Sequence, residues 1–275
     1  MLKMIHCVAV GLMGVTAAFG ANADDIRPGQ ERFEVMLGAF LPAFNSDVKV
    51  DGDTEEGNRI NLGDDLGVNH DETGYIVGLG WRFKEKHRIG FTYSSFTLNG
   101  SRTIDEEIEI GDTLYPVNAT LRTEQKLEII PITYSYSFIN DEKQEFAVTA
   151  GIHWTTVTLT VRGETADQSF QGSSKANADL PLPLFGVRYD RHLNPDWTLG
   201  VSASFFSIEF GEDQLDAKGS LANARLYGEY HFGGRYSAGL ALDGFKLTLD
   251  VNKPRWQGDY DYDYWGPQLY MTARF

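Results

Sequence analysis

Histidines and a surplus of carboxylates are the groups in this chain that could do chemistry: it has 6 His, and 39 Asp and Glu against 24 Lys and Arg. His153 sits among Thr149, Thr155 and Thr156, and His192 lies two residues from Asp190. His70 falls in the segment NHDE, beside Asp71. A hydrolase needs a base within hydrogen-bond reach of an oriented nucleophile or water. Two arrangements would supply one: loop carboxylates converging on His70, or Ser and Thr converging on His153. Neither stretch forms a local catalytic motif, so no catalytic residue is assigned and the chain is expected not to be an enzyme. The acidic runs are DGDTEEGN (Asp51, Asp53, Glu55, Glu56), Asp64-Asp65, DEEIEIGD (Asp105, Glu106, Glu107, Glu109, Asp112) and DYDYDY from Asp259. An EF-hand over Asp51–Leu62 fails, because its glycine is one place late and its last position is Leu62 rather than Glu. No metal site and no cofactor are expected.

The elements that would carry these groups show one pattern, alternation at period two, which marks strands with one apolar face. Phe33, Val35, Leu37, Ala39 and Leu41 form such a face. So do Tyr75, Val77, Leu79, Trp81 and Phe83, then Ile130, Ile132, Tyr134, Tyr136 and Phe138, then Phe146, Val148, Ala150, Ile152 and Trp154. The chain ends on WGPQLYMTARF, with Trp265, Pro267, Leu269, Met271, Ala273 and Phe275 on one side. About ten strands are predicted, with no helical competitor. Short turns at Lys84–Lys86, Ile139–Gln144, Asn194–Asp196 and Gly233–Arg235 alternate with long polar segments. The long ones are Asn45–Thr73, Leu98–Gln125, Gly163–Asp179, Gly211–Gly219 and Asn252–Asp263. Aromatics collect at the short-turn ends of the strands, as in an interfacial girdle. Tyr260, Tyr262, Tyr264 and Trp265 are expected to mark the opposite aromatic level. Ile60, Leu62, Leu66 and Val68 are apolar for a loop and are expected to lie over the mouth or to extend a strand. Ile104–Ile110 and Thr113–Leu121 are expected to form a projecting hairpin.

The N-terminus has the layout of a secretory signal: Lys3, an apolar or small run from Ile5 to Phe19, and Ala21-Asn22-Ala23 as an A-x-A site. Residues 1–23 are read as a cleaved signal peptide and 24–275 as one barrel domain. The single cysteine, Cys7, falls in the signal, so no disulfide is expected. Loss of Lys3 takes the formal charge from −15 to −16, which disfavours nucleic acid as a partner. Mean hydropathy is −0.30, which does not exclude a membrane barrel, because lipid-facing and lumen-facing residues average out.

The signal, the sorted loops and the terminal Phe275 together resemble Gram-negative outer-membrane β-barrel proteins over the whole predicted mature chain. The fold class is then all-β: a transmembrane antiparallel up-and-down barrel of about ten strands in the cell outer membrane. The resemblance implies that Leu269, Met271, Ala273 and Phe275 form the signal read by the barrel assembly machinery. It also implies contact with outer-membrane lipid and lipopolysaccharide. The acidic loops are either solvated surface or bridged through divalent ions to lipopolysaccharide phosphates.

With the apolar face toward lipid, the other face lines the lumen. That places Glu34, Arg82, Arg88, His153, Arg188, Asp190, Arg225, Glu229, Asp243 and Arg274 inside, among small residues such as Gly80, Gly200 and Gly239. Charges of both signs in a narrow lumen must pair or be solvated. The expected role is structural or interaction-based, with acidic external loops and a largely plugged lumen. A narrow passive channel for small solutes and a rim-sited hydrolase, either a protease or a lipid A acylhydrolase, are the alternatives.

Overall fold

The alternating runs form antiparallel strands, because only an extended chain can send one set of side chains to lipid and the next to a lumen. The computed structural model describes residues 29–49, 59–69, 72–110, 112–212, 215–232, 234–253 and 256–275. The predicted signal, 1–23, lies outside them. The first wall strand is interrupted, as β1 (Phe33–Phe40) and β2 (Ala43–Lys49), and a short β3 (Arg59–Asn61) follows it. Next come β4 (Gly74–Lys84) and β5 (His87–Thr103), then the small hairpin of β6 (Ile108–Ile110) and β7 (Thr113–Tyr115). The wall continues through β8 (Thr120–Asn140), β9 (Gln144–Glu164), β10 (Gln171–Asn194) and β11 (Trp197–Glu212). It ends with β12 (Leu215–Phe232), β13 (Tyr236–Lys253) and β14 (Trp256–Arg274).

Successive wall strands pair antiparallel, and β1 pairs with β14, so the sheet closes on itself. The main sheet has 12 strands; leaving out β3 and joining β1 to β2 gives a wall of ten. Closure extends to the last residue, where Phe33 and Phe275 each donate an N–H to the other's carbonyl at 2.8 Å. The break in the first strand has a local cause. Leu41-Pro42 faces Gly266-Pro267, and a proline has no N–H to give the ladder. Register is the same on both sides, with Phe40 opposite Gln268 and Ala43 opposite Trp265.

Near the short turns the outward aromatics form a chain of ring contacts. Trp81 meets Phe83 at 5.6 Å, Tyr136 meets Phe138 at 5.0 Å, and Trp197 meets Tyr230 at 5.1 Å between centroids. Phe83, Phe138 and Leu193 are single extra residues that shift the register beside three of these turns. Such bulges tighten twist and turn the strand end.

Toward the long connections the polarity of the wall inverts. On β9 the outward set runs Phe146, Val148, Ala150, Ile152, Trp154 and then becomes Thr156, Thr158, Thr160, Arg162. The inward set changes at the same height, from Glu145 and Thr149 to Val157, Leu159 and Val161, which are buried. On β8 the switch falls at Ile129-Ile130, with Leu121, Leu127 and Ile129 inward and Ile130, Ile132 and Tyr134 outward. Where lipid is outside, the outward face is apolar; where water is outside, the inward face is.

The strands therefore run well beyond the membrane, and several segments expected as long loops are mostly strand. Residues 120–125, 171–179 and 256–263 belong to β8, β10 and β14. Tyr260, Tyr262 and Tyr264 are corrected likewise: they point inward and are buried, and only Trp265 faces out. Their partners in the alternation, Asp259, Asp261 and Asp263, take the outer face, because water lies outside at that height.

The result is a head, on the side of the long connections, with an apolar core inside the barrel wall. Phe44 packs on Phe96 at 5.1 Å and on Tyr264 at 5.8 Å, and Phe245 stacks on Tyr264 at 5.2 Å. The first long connection closes one side. Leu62 and Leu66 are buried in the core, Leu62 donates its N–H to Ser46 O at 3.0 Å, and Val68 bridges to Gly100 on β5. The β6–β7 hairpin covers another side, where the Tyr115 hydroxyl donates to Val161 O at 3.2 Å and Tyr115 meets Phe170 edge-on at 5.7 Å. Leu247 lies in this core with no exposed surface. Leu247→Ala is expected to cost about 2–5 kcal/mol, read as a lower urea midpoint for the barrel refolded in bilayers.

Candidate functional site

The strands deliver a set of charged side chains to the lumen near the short-turn end. The closed wall creates a problem there that only opposite charge can solve. Arg82 and Arg88 stand directly across from one another on β4 and β5. Glu31, just before β1, comes between them, with Oε1 at 3.5 Å from Arg82 and 3.7 Å from Arg88. Arg82 also reaches Glu145 at 3.0 Å, and Glu145 takes a second guanidinium from Arg188 at 2.9 Å. Arg188 holds Asp190 at 2.8 Å. On the other side Arg88 meets Glu34 at 2.5 Å, Glu34 meets Arg274 at 3.2 Å, and Arg274 meets Glu229 at 2.5 Å.

Taken in order, these groups form one chain of strictly alternating sign: Asp190, Arg188, Glu145, Arg82, Glu31, Arg88, Glu34, Arg274, Glu229. It ties β10, β9, β4, β5, β1, β14 and β12 together across the lumen. Buried charge is tolerated only when paired and hydrogen-bonded, and here hydroxyls complete the shells. Ser137 donates to Glu145 at 2.5 Å, Tyr270 to Glu229 at 3.1 Å, and Tyr227 to Asp190.

Three glycines make the longest of these reaches possible. Tyr227, Gly200 and Asp190 occupy one row across β12, β11 and β10. Tyr270, Gly239 and Glu229 occupy one row across β14, β13 and β12. In each row the tyrosine lies over the glycine and bonds the acid beyond it. A Cβ on Gly200 or on Gly239 would stand 2.2 Å from the tyrosine Cζ. Arg88 likewise crosses Gly80, where a Cβ would be 2.6 Å from its Nη2. These glycines give room to a crossing side chain.

Above this floor lies a second, smaller set. Arg225 donates to Gln268 at 2.5 Å and stands 3.9 Å from Asp243, with its guanidinium over the rings of Tyr227 and Tyr270 at 5.5 and 5.2 Å. Asn223 donates to Asp243 at 3.1 Å. A cavity of about 370 Å³ extends from the level of the charged floor up to the underside of the apolar head. Its walls carry Arg88, Arg188, Arg225 and Tyr270 at the floor, and Phe40, Phe96 and Ile129 under the head.

All ten sequence-selected lumen residues point inward, but they divide. Glu34, Arg82, Arg88, Arg188, Asp190, Glu229 and Arg274 belong to the charge chain, and Arg225 and Asp243 to the smaller set. His153 stands apart, stacked on Phe245 at 4.9 Å with Nδ1 3.1 Å from Thr155 Oγ1. Among the described residues no carboxylate bonds to it, so it has no group to orient it as a base. Two other histidines join the floor's edge: His192 meets Thr198 at 3.0 Å and Thr198 meets His231 at 2.8 Å. His70 and Asp71 lie outside the described residues, as do Asp51, Asp53, Glu55 and Glu56. Asp64 and Asp65 shape the turn after β3, where Asp65 accepts the Asn61 N–H at 2.8 Å.

Glu31, Glu145 and Gln268 are not among the lumen residues selected from the sequence. Glu145 has the inward parity of β9, in step with Thr149 and His153, and that signal was available. Gln268 has the inward parity of β14. Glu31 precedes its strand, and no periodicity marks it.

This architecture is shared with solved structures. The chain is similar to the outer membrane protease OmpT from Escherichia coli, at 9% identity and a TM-score of 0.59 over 88% of this chain and 96% of that one. The translocator domain of the autotransporter NalP from Neisseria meningitidis has 11% identity and a TM-score of 0.41, over 99% of this chain and 97% of that one. The attachment invasion locus protein Ail of Yersinia pestis has 7% identity and a TM-score of 0.35, over 86% of this chain and 97% of that one. No protein-family model matches the sequence, and no curated protein matches it. The fold is that of a Gram-negative outer-membrane β-barrel, and the outward apolar belt suits that membrane.

Two outcomes follow for the floor. Glu145→Gln weakens the pairing of Arg82 and Arg188 and is expected to destabilise the barrel by about 3–5 kcal/mol, the cost of breaking a buried pair. Gly239→Ala displaces Tyr270 and is expected to cost about 1–3 kcal/mol by overpacking. Both would be read as lower urea midpoints, and unchanged midpoints would refute the account of the floor.

Proposed function

We propose that the protein is a non-enzymatic outer-membrane barrel with a structural and interaction role, its axial path closed to water and ions. The observation that carries this reading is the closure of the lumen by the apolar core of the head, above a floor spanned by the charge chain. The charge chain crosses the floor from β10 to β12, and the buried apolar core of the head blocks the outer end. Conduction needs a continuous wetted path past the lining groups, and an apolar core of this depth interrupts it.

The interacting surface in this reading is the outer face of the head. Its outward set is polar, with Asp261 and Asp259 holding Arg59 from β3. Lipopolysaccharide and outer-membrane lipid are the surrounding partners, met by outward residues such as Leu226, Leu240 and Leu269. The barrel assembly machinery would read Leu269, Met271, Ala273 and Phe275 before closure, since in the closed barrel Phe275 is bonded to Phe33. The likeness to a protease concerns fold alone, and His153 lacks the partners of a catalytic base. A second reading, a narrow passive channel, is favoured by the cavity of about 370 Å³.

Single-channel recording in molar salt separates the two. The folded wild-type barrel, verified by heat-modifiable migration, is expected to give no unitary steps. A variant with Leu62, Leu127 and Leu247 replaced by serine is expected to conduct, because the apolar seal is then wettable. Stable steps from the wild type would overturn the proposal in favour of the channel.

A further inference from the structure

The wall is not paired to the same height all round. β9 and β10 pair without a gap from Gln144↔Arg191 up to Glu164↔Gln171. β11 and β12 pair up to Glu212↔Leu215. Between β10 and β11, however, the ladder runs only from Asn194↔Trp197 to Phe185↔Phe205. Above that pair both strands continue, each bonded on its far side, and among the described residues no ladder joins them.

Two prolines explain where the ladder stops. Pro181 and Pro183 stand just above Phe185 and have no N–H. Residues two apart in a strand direct their backbone groups toward the same neighbour. Pairing with β9 is unbroken through Pro181↔Trp154 and Pro183↔Ile152, so the missing donors fall on the β11 edge.

Burial follows the same line. Leu180, Leu182 and Phe206 face inward beside the split but are only partly buried, whereas Leu127 and Leu159 on the paired strands are buried. Outside the split, Phe205 is 69% exposed, and the neighbouring Trp154 and Ile152 also face outward at this height. The opening therefore begins at the outer edge of the lipid belt. At its base are Leu184 and Ser204, and both line the mid-barrel cavity.

We propose that this split is a lateral portal through which a small uncharged amphipathic molecule passes between the outer lipid layer and the mid-barrel cavity. The base of the mouth, at Pro183 and Phe205, is apolar and lies at the edge of the lipid belt, so the molecule enters there from lipid; higher up, Asp179 and Glu209 take the outer face. The cavity offers aromatic and aliphatic walls under the head and hydrogen-bonding groups, Arg225, Tyr270 and Gln268, below. Its charged groups are already in ion pairs with one another, so a charged ligand would have to break a pair to find a partner. An uncharged polar end needs no such exchange.

Ser204→Cys places a thiol on the cavity wall of a mature chain predicted to have no other cysteine. In lipid vesicles, its labelling by N-phenylmaleimide and by a sulfonated maleimide would be followed by mass spectrometry. Each rate is normalised to Ser169→Cys in the exposed β9–β10 turn. The uncharged reagent is expected to be faster by at least about tenfold. Adding Leu182→Trp, which fills the mouth, is expected to slow it by about tenfold, while Leu226→Trp on a distant lipid-facing site leaves it unchanged. Ser202→Cys, two residues lower on the same face, is a second reporter, and heat-modifiable migration checks that every variant folds. Equal rates for both reagents would overturn the portal in favour of an aqueous path, which would also breach the sealed lumen. Labelling by neither would show the wall closed, with the sealed lumen intact, and an inert Leu182→Trp would put the route elsewhere.

Discussion

The arrangement of the lower lumen depends on one electrostatic constraint: four arginines, Arg82, Arg88, Arg188 and Arg274, enter one narrow space and must be paired there. Arg82 and Arg88 are forced side by side by strand register, and neither could remain there without an acid between them. Each added carboxylate then needs its next cation, and the sequence of contacts ends only when hydroxyl donors, Tyr227 and Tyr270, close the two ends. Replacing such a network by apolar side chains is often neutral for stability, while breaking one member is costly. The chain therefore fixes register and strand neighbours more than it adds net free energy. It joins strands far apart in sequence, Glu34 of β1 to Arg274 of β14, across the seam where the barrel must close.

The second constraint is the solvent outside the wall. Backbone pairing continues unbroken from the lipid belt into the head, but the side that must be apolar changes at the membrane surface. β8 records this in a single dipeptide, Ile129-Ile130, one facing in and one facing out. A charged floor cannot keep water from a lumen, since its groups are themselves hydrated where they face a cavity. An apolar core can, yet it forms only above the belt, where outward polar side chains are no longer penalised by lipid. Floor and head are therefore complementary: one sets the geometry, the other excludes water.

Much of this was legible in the sequence. Period-two alternation marks the wall, the sorted connections mark which strand ends share a rim, and the polar face of each apolar run marks the lumen residues. The parity switch was the signal not followed. Apolar residues at Val157, Leu159 and Val161 continue the alternation of β9 one step out of phase, whereas the apolar face read from the sequence ends at Trp154. The same slip put Tyr260, Tyr262 and Tyr264 at an outer aromatic level, although the alternating aspartates show which face meets water. Gly80, Gly200 and Gly239 are legible as small lumen residues, but not as the places where one side chain crosses another strand. That role depends on cross-strand rows, which no single-strand pattern reveals. Glu31 was illegible for a simpler reason, since it lies outside every strand.

The split between β10 and β11 and the floor beneath it are mechanically linked. A barrel whose wall separates at one seam would tend to unzip from that point, because each broken pair exposes the next. Here the ladder ends at Phe185↔Phe205, and five residues lower Asp190 is bonded by Tyr227 across Gly200. That bond binds β10 to β12 over the intervening strand, so β11 cannot peel from β10 without also parting Tyr227 from Asp190. Arg188, paired with both Asp190 and Glu145, extends the hold to β9. The prolines can therefore relax the upper seam without loss of closure below, because the lower seam is held by side chains as well as by backbone. The row across Gly200 thus adds a side-chain tie just below the seam that Pro181 and Pro183 leave without a ladder.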